Sequence, residues 1–195
     1  MEYLSIIPNI SFQKKLVAKA AVQKESMPEE VKIYQLDEQK DIRDLEKASE
    51  DRNWHGSFYI DEICEEGSYF IEKYDVFTME TKDKKVICYS VVDNNRKKET
   101  RLNFIETAPK LSCYNKGDRA FKYIGETMMA FIAKQGSKKD FVIGTVADRE
   151  KTKNFYFRNC KFSPHKSRGA ILEQQKLDKF IKANEVHTGK TIELI

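Results

Sequence analysis

The chain has little of what marks special chemistry. Its four cysteines stand far apart, at Cys64, Cys88, Cys113 and Cys160, with no CxxC and no His/Cys pair at ligand spacing. Neither a disulfide framework nor a bound metal is expected from that spacing, and Cys88, alternating with Ile and Val, is read as a small core residue. Eight glycines and four prolines in 195 residues exclude collagen-like and linker-like chains. No run of about 18 apolar residues occurs, so no membrane-spanning helix is expected. The opening stretch puts its apolar residues before its lysines, the reverse of a secretory signal, and a cytoplasmic location is expected. Motifs for zinc peptidases, serine hydrolases and EF-hands are missing. His187-Thr188-Gly189-Lys190-Thr191 ends like a phosphate loop, but Asn184 stands where that loop requires its first glycine.

What is there suffices for a core. Hydrophobic residues make up 40% and charged residues 34%, and a chain of 195 residues has the size of one domain. The net charge of +4 is too mild to indicate nucleic acid, and it hides an asymmetry. Residues 25–75 hold 16 acidic and 6 basic side chains, a balance of −10; residues 110–168 hold 14 basic and 5 acidic ones, a balance of +9.

Periodicity predicts the elements. Phe12, Leu16, Val17 and Ala20 fall at helical spacing, so a helix is expected before Lys24, then a break through Pro28. Val31–Leu36 alternates as a strand. Asp37 caps a helix bearing Ile42, Leu45 and Ala48, and residues 56–72 form a second. Strands are expected at 75–82, 85–93 and 100–107, a meander joined by short charged turns. After a loop to about Lys122, residues 124–134 form a helix, 141–147 a buried strand, 151–159 a helix, 170–184 a polar helix and 191–195 a final strand. The fold class is α/β, a mixed, mostly antiparallel central sheet flanked by helices. Residues 1–30 are read as an N-terminal extension and 31–195 as the domain.

Two segments give this order a function. Leu102-Asn103-Phe104-Ile105-Glu106-Thr107 leads through a basic loop (Lys116, Arg119, Lys122) to Tyr123-Ile124-Gly125-Glu126-Thr127, which opens a helix. After the next strand comes Asn154-Phe155-Tyr156-Phe157-Arg158-Asn159-Cys160-Lys161-Phe162. Over roughly residues 31–165 this resembles the GNAT superfamily, which transfers an acyl group from coenzyme A to an amine. Peptide N–H groups at a helix start lack intrahelical partners and carry partial positive charge, so they can receive a diphosphate if no side chain blocks them. Gly125 permits that approach. The family pattern is Arg or Gln, two residues, Gly, one residue, then Gly or Ala. Here Gly125 takes its second small position and Tyr123 its first, or else Gly125 takes the first and Thr127 the second; the former is preferred.

The resemblance implies acetyl-coenzyme A as co-substrate, no metal, and cofactor contacts from Ile105, Thr107, Lys122, Tyr123, Ile124, Gly125, Glu126, Thr127 and Asn154. It implies Tyr156 as proton donor to the leaving thiolate, or Phe157 in that place if the register shifts by one. Glu106, on the strand resembling the family's fourth, is the candidate general base, with Asp148 as a further carboxylate. The reaction implied is direct amine attack on the thioester, with backbone N–H groups holding the acyl oxygen. Trp54, His55 and Tyr59, in the acidic half, are the candidate acceptor pocket. An acidic wall favours a cationic acceptor, a small molecule or a protein amine. No membrane partner is expected, and a homodimer is left open. The alternatives are a GNAT-like module without catalysis and a nucleic-acid-binding or RNA-directed protein, the latter because Phe155, Tyr156 and Phe157 lie in a basic run.

Overall fold

The computed structural model describes residues 14–37, 41–42, 67–108, 121–166 and 169–195. Ten described strands form one sheet. They are β1 (Lys15–Lys24), β2 (Met27–Leu36), β3 (Asp75–Thr81), β4 (Val86–Asp93), β5 (Glu99–Thr107), β6 (Phe121–Lys122), β7 (Asp140–Ile143), β8 (Ser163–His165), β9 (Gly169–Leu172) and β10 (Glu193–Leu194). The order across the sheet is β10-β1-β2-β3-β4-β5-β7-β9-β8, with β6 also on β1. All ladders are antiparallel except β5–β7. The helices are α1 (Gly67–Lys73), α2 (Ile124–Gln135), α3 (Glu150–Lys153), which runs into π-helical residues Asn154–Asn159, and α4 (Gln174–Thr188).

The helix expected before Lys24 is instead β1. Glu25 and Ser26, at φ 49° and 69°, form a two-residue turn that returns the chain as β2; positive φ at both positions is the hairpin geometry that matches strand twist. A bulge between Leu16 and Ala18 puts Val17 and Ala18 both inside, and Ala20, Ala21 and Val22 are buried in succession. A strand covered on both faces loses its alternation, and helical spacing arose by coincidence. Residues 15–30, read as an extension, are thus part of the sheet. The expected break at Pro28 lies within β2.

The meander β3–β4–β5 forms as expected. The second helix is described only from Gly67. Of the capped helix, Asp41 and Ile42 are described: Asp37 N–H donates to Asp41 Oδ2 at 3.2 Å, and Ile42 is buried. The strand expected at 141–147 ends at Ile143. The helix expected from 170 begins at Gln174, because Gly169–Leu172 is drawn into the β8–β9 hairpin.

The main core lies between one sheet face and α2, where Phe131 meets Phe77 edge to face at 5.1 Å. α4 covers the other side of α2 with Leu177, Phe180, Ile181 and Asn184, spaced as one helical stripe. A second, smaller cluster on the opposite face includes Leu36, Ile42, Val76, Tyr89 and Val91.

Candidate active site at the splayed strands

β5 and β7 are paired only from Glu99↔Asp140 to Leu102↔Ile143. β7 ends there, while β5 continues to Thr107. At the same point β5 bulges: Val91 faces Phe104 and Val92 faces Leu102, so Asn103 is the extra residue. A bulge re-aims the strand and ends pairing. Beyond Asn103, one edge of β5 has no described strand beside it. Carboxyl ends of parallel strands that part in this way are where open α/β sheets take ligands.

The start of α2 adjoins this gap. A Cβ on Gly125 would stand 3.0 Å from Phe155 Cζ and 3.9 Å from Thr107 Cγ2. Gly125 therefore lies between the end of β5 and the π-helical turn. Tyr123 precedes the helix with φ 64° and ψ 19°, the left-handed region a glycine occupies without cost. This favours the register in which Tyr123 replaces the pattern's first glycine. Its ring is turned onto His187 at the end of α4, stacked at 5.3 Å and 5°, and Gln23 Nε2 donates to the His187 carbonyl. His187 thus holds the Tyr123 ring to one side of the helix start.

Glu126 lies in the first turn of α2, where its carboxylate accepts from its own N–H and from Asn159 Nδ2 at 3.4 Å. Burial nevertheless pushes its pKa above the ordinary carboxylate range, against the lowering effect of those hydrogen bonds and of His187. Thr127 faces the core: its N–H donates to the Tyr123 carbonyl, its Oγ1 donates to Ala21 O at 3.2 Å, and Asn184 Nδ2 approaches the same Oγ1 at 3.4 Å. Lys122 is exposed on β6 and Asn154 is exposed at the head of the π-helical turn.

Glu106 and Tyr156 lie on different faces of the sheet. Tyr89, buried in the smaller cluster, donates its hydroxyl to Glu106 Oε2 at 2.8 Å. Tyr156 packs with Phe155 and Phe157 against the main core, its ring edge-on to Phe162 at 6.2 Å. Ile105 packs on that core too. The wide turn at 154–159 is what lets three consecutive aromatics reach one core: Cys160 N–H donates to Phe155 O, five residues back, so the turn holds one residue more than an α-helical turn. All three rings are half-buried and pack against the main core.

Several solved structures of similar fold are described as acetyltransferases. A variant of the spermidine N-acetyltransferase SpeG from Vibrio cholerae matches at TM-score 0.53 and 14% identity, covering 75% of this chain and 95% of that one. A protein described as a GNAT-family acetyltransferase from Desulfovibrio desulfuricans matches at 0.54 and 16%, over 74% and 99%. A GNAT-family acetyltransferase from Listeria monocytogenes matches at 0.51 and 15%, over 78% and 97%. The chain has the GNAT fold. No protein-family model matches it, and no curated protein matches it in sequence.

Trp54, His55, Tyr59, Cys64 and Cys113 lie outside the described residues. Cys88 and Cys160 are buried, and desolvation raises both thiols above their ordinary range, aided at Cys88 by the nearby Glu106 and Glu126. Asp148 is exposed and meets Lys153. Sequence reasoning missed Tyr89, His187 and Asn159. Tyr89 was within reach of it, since counting back across the β4–β5 turn sets Tyr89 opposite Glu106, provided the bulge is allowed for.

Proposed function

We propose that the chain is an N-acetyltransferase that moves the acetyl group of acetyl-coenzyme A onto a primary amine by direct attack. The observation that supports it most is the open edge of β5 beside the first turn of α2 at Gly125, on a GNAT fold. The backbone there suits the coenzyme. The N–H groups of Ile124 and Gly125 open α2 with no side chain at Gly125, and exposed Lys122 adds positive charge. Glu126 is compatible with an anion when protonated, the form its burial favours. Ile105 and Thr107 on β5, together with Tyr123 and Asn154, would flank the rest of the coenzyme.

The bound thioester supplies an activated acetyl group. The chain's own residues do the rest. Glu106, held by Tyr89, takes the proton from the attacking amine. Peptide N–H groups on the open edge of β5 receive the negative charge that develops on the acyl oxygen. Tyr156, a phenol and so protonated at neutral pH, returns a proton to the leaving sulfur. The acidic stretch 25–75 favours the cationic ammonium end of an acceptor, and the structural neighbour SpeG is named for spermidine. Release of coenzyme thiol from acetyl-coenzyme A in the presence of amines tests this; no release with any amine opposes it.

One observation favours a second reading, a GNAT-like module without catalysis. The Phe155 ring fills the space beside Gly125, and a ring fixed there would leave a coenzyme no access to the helix start. Calorimetry with acetyl-coenzyme A separates the two.

A further inference from the structure

On the sheet face away from α2, a small cleft opens at the carboxyl end of β7. It is lined by Glu99 and Arg101 of β5, Gly144 after β7, and His165, Lys166 and Gly169 of the β8–β9 turn. These residues share a face by strand alternation. Thr100 and Leu102 turn towards α2, with Gly136 against the Thr100 side chain, so Arg101 points the other way. Arg101 lies across β7: a Cβ on Gly144 would overlap its Nη2. The register that pairs Leu102 with Ile143 brings Gly144 level with Asn103, so the guanidinium leans along the strand towards Glu106, which shares its face. Glu99 is engaged by Arg96 at 3.0 Å, and Arg101, His165 and Lys166 have no ion pair among the described residues. The cleft measures about 40 Å³, room for about three water-sized groups and so for one carboxylate.

We propose that Arg101, held over Gly144 with His165 and Lys166 beside it, binds a carboxylate on the amine acceptor and so selects an amine that carries one. A half-buried guanidinium with no ion-pair partner among the described residues is a fork matched to carboxylate oxygens. From Gly144 to the level of Glu106 is three residues of strand, roughly 10 Å. The acceptor's amine and carboxylate therefore stand at opposite ends of a chain of several carbons. The inference rests on the transferase reading for what happens at the amine, and on the cleft alone for the carboxylate.

Three probes test it: 5-aminovalerate, cadaverine, which replaces the carboxylate by a second amine, and 4-aminobutylphosphonate. Two quantities are read, coenzyme thiol release and the shift of the Arg101 Nε–H resonance, which needs no turnover. The expected result is that 5-aminovalerate moves that resonance and is used at least about tenfold better in kcat/KM than cadaverine. Arg101→Gln brings that ratio near one, and Lys179→Gln, on exposed α4, leaves it. A shift with 5-aminovalerate but no thiol release supports the cleft and counts against the transferase reading. Thiol release with cadaverine equal to 5-aminovalerate, or no shift with 5-aminovalerate, overturns the inference and leaves the transferase standing or falling on its own. A larger shift with the phosphonate than with 5-aminovalerate overturns the choice of carboxylate.

Discussion

The Phe155 ring and Gly125 face each other so closely that a Cβ on Gly125 would stand 3.0 Å from Cζ and 3.1 Å from Cε2. The missing side chain that would admit a diphosphate also admits a ring of the chain's own π-helical turn. Gly125→Ala therefore forces that ring to shift. A cost of about 1–3 kcal/mol in urea unfolding is expected, together with weaker acetyl-coenzyme A binding. Adding Phe155→Leu should recover most of the stability. Stability unaffected by Gly125→Ala would show that the ring is free to move.

Glu106→Gln should lower kcat by about 100-fold if the carboxylate takes the amine's proton. Tyr89→Phe removes only the 2.8 Å bond that holds the carboxylate, so its loss in kcat should be smaller, with about 1 kcal/mol of stability lost as well. Steady-state kinetics with saturating acetyl-coenzyme A separates the two. A larger effect from Tyr89→Phe than from Glu106→Gln would remove Glu106 from the role of base.

Glu126 gives a pH dependence with a defined sign. Burial raises its pKa in the fold, so the folded chain holds that proton more tightly than the unfolded chain. Its contribution to stability is complete below the ordinary glutamate range and is lost as pH rises through the raised value. Unfolding of wild type and Glu126→Gln from about pH 4 to about pH 8 brackets that window: the variant should lack this decline and be the more stable at the upper end. Affinity for acetyl-coenzyme A should fall over the same window in wild type and less in the variant. Parallel curves would contradict the assignment.

At Tyr123, left-handed backbone and ring stacking oppose each other. Removing the ring loses its contact with His187, about 0.5–1.5 kcal/mol. A glycine relieves about 1–2 kcal/mol of backbone cost, and an alanine does not. Tyr123→Ala should therefore be less stable than Tyr123→Gly by about 1 kcal/mol. The reverse order would mean that the positive φ of 64° does not persist in solution.

Much of this was legible in the sequence where one local rule dominated. β3 to β5 are separated by short charged turns, and α2 repeats its apolar residues at helical spacing, so these elements could be read directly. β1 could not, because a bulge and burial on both faces erased its alternation. The β8–β9 hairpin was hidden in a polar stretch with only Ala170, Ile171 and Leu172 to mark it. The site divided in the same way. Gly125 and Glu106 stand out by their place in a pattern. The ring on Gly125 depends on a π-helical turn that no periodicity announces, and Arg101 reads in sequence as one more solvated strand residue until Gly144 is found beneath it.

The central claim is that the start of α2 and the open edge of β5 receive acetyl-coenzyme A. Isothermal titration of the full chain with acetyl-coenzyme A tests this directly. Binding of one molecule per chain with Kd at or below about 100 μM is predicted, a free energy near −5.5 kcal/mol or stronger, and Gly125→Ala should weaken it. No heat of binding at millimolar ligand would contradict the claim and leave a GNAT fold without its coenzyme.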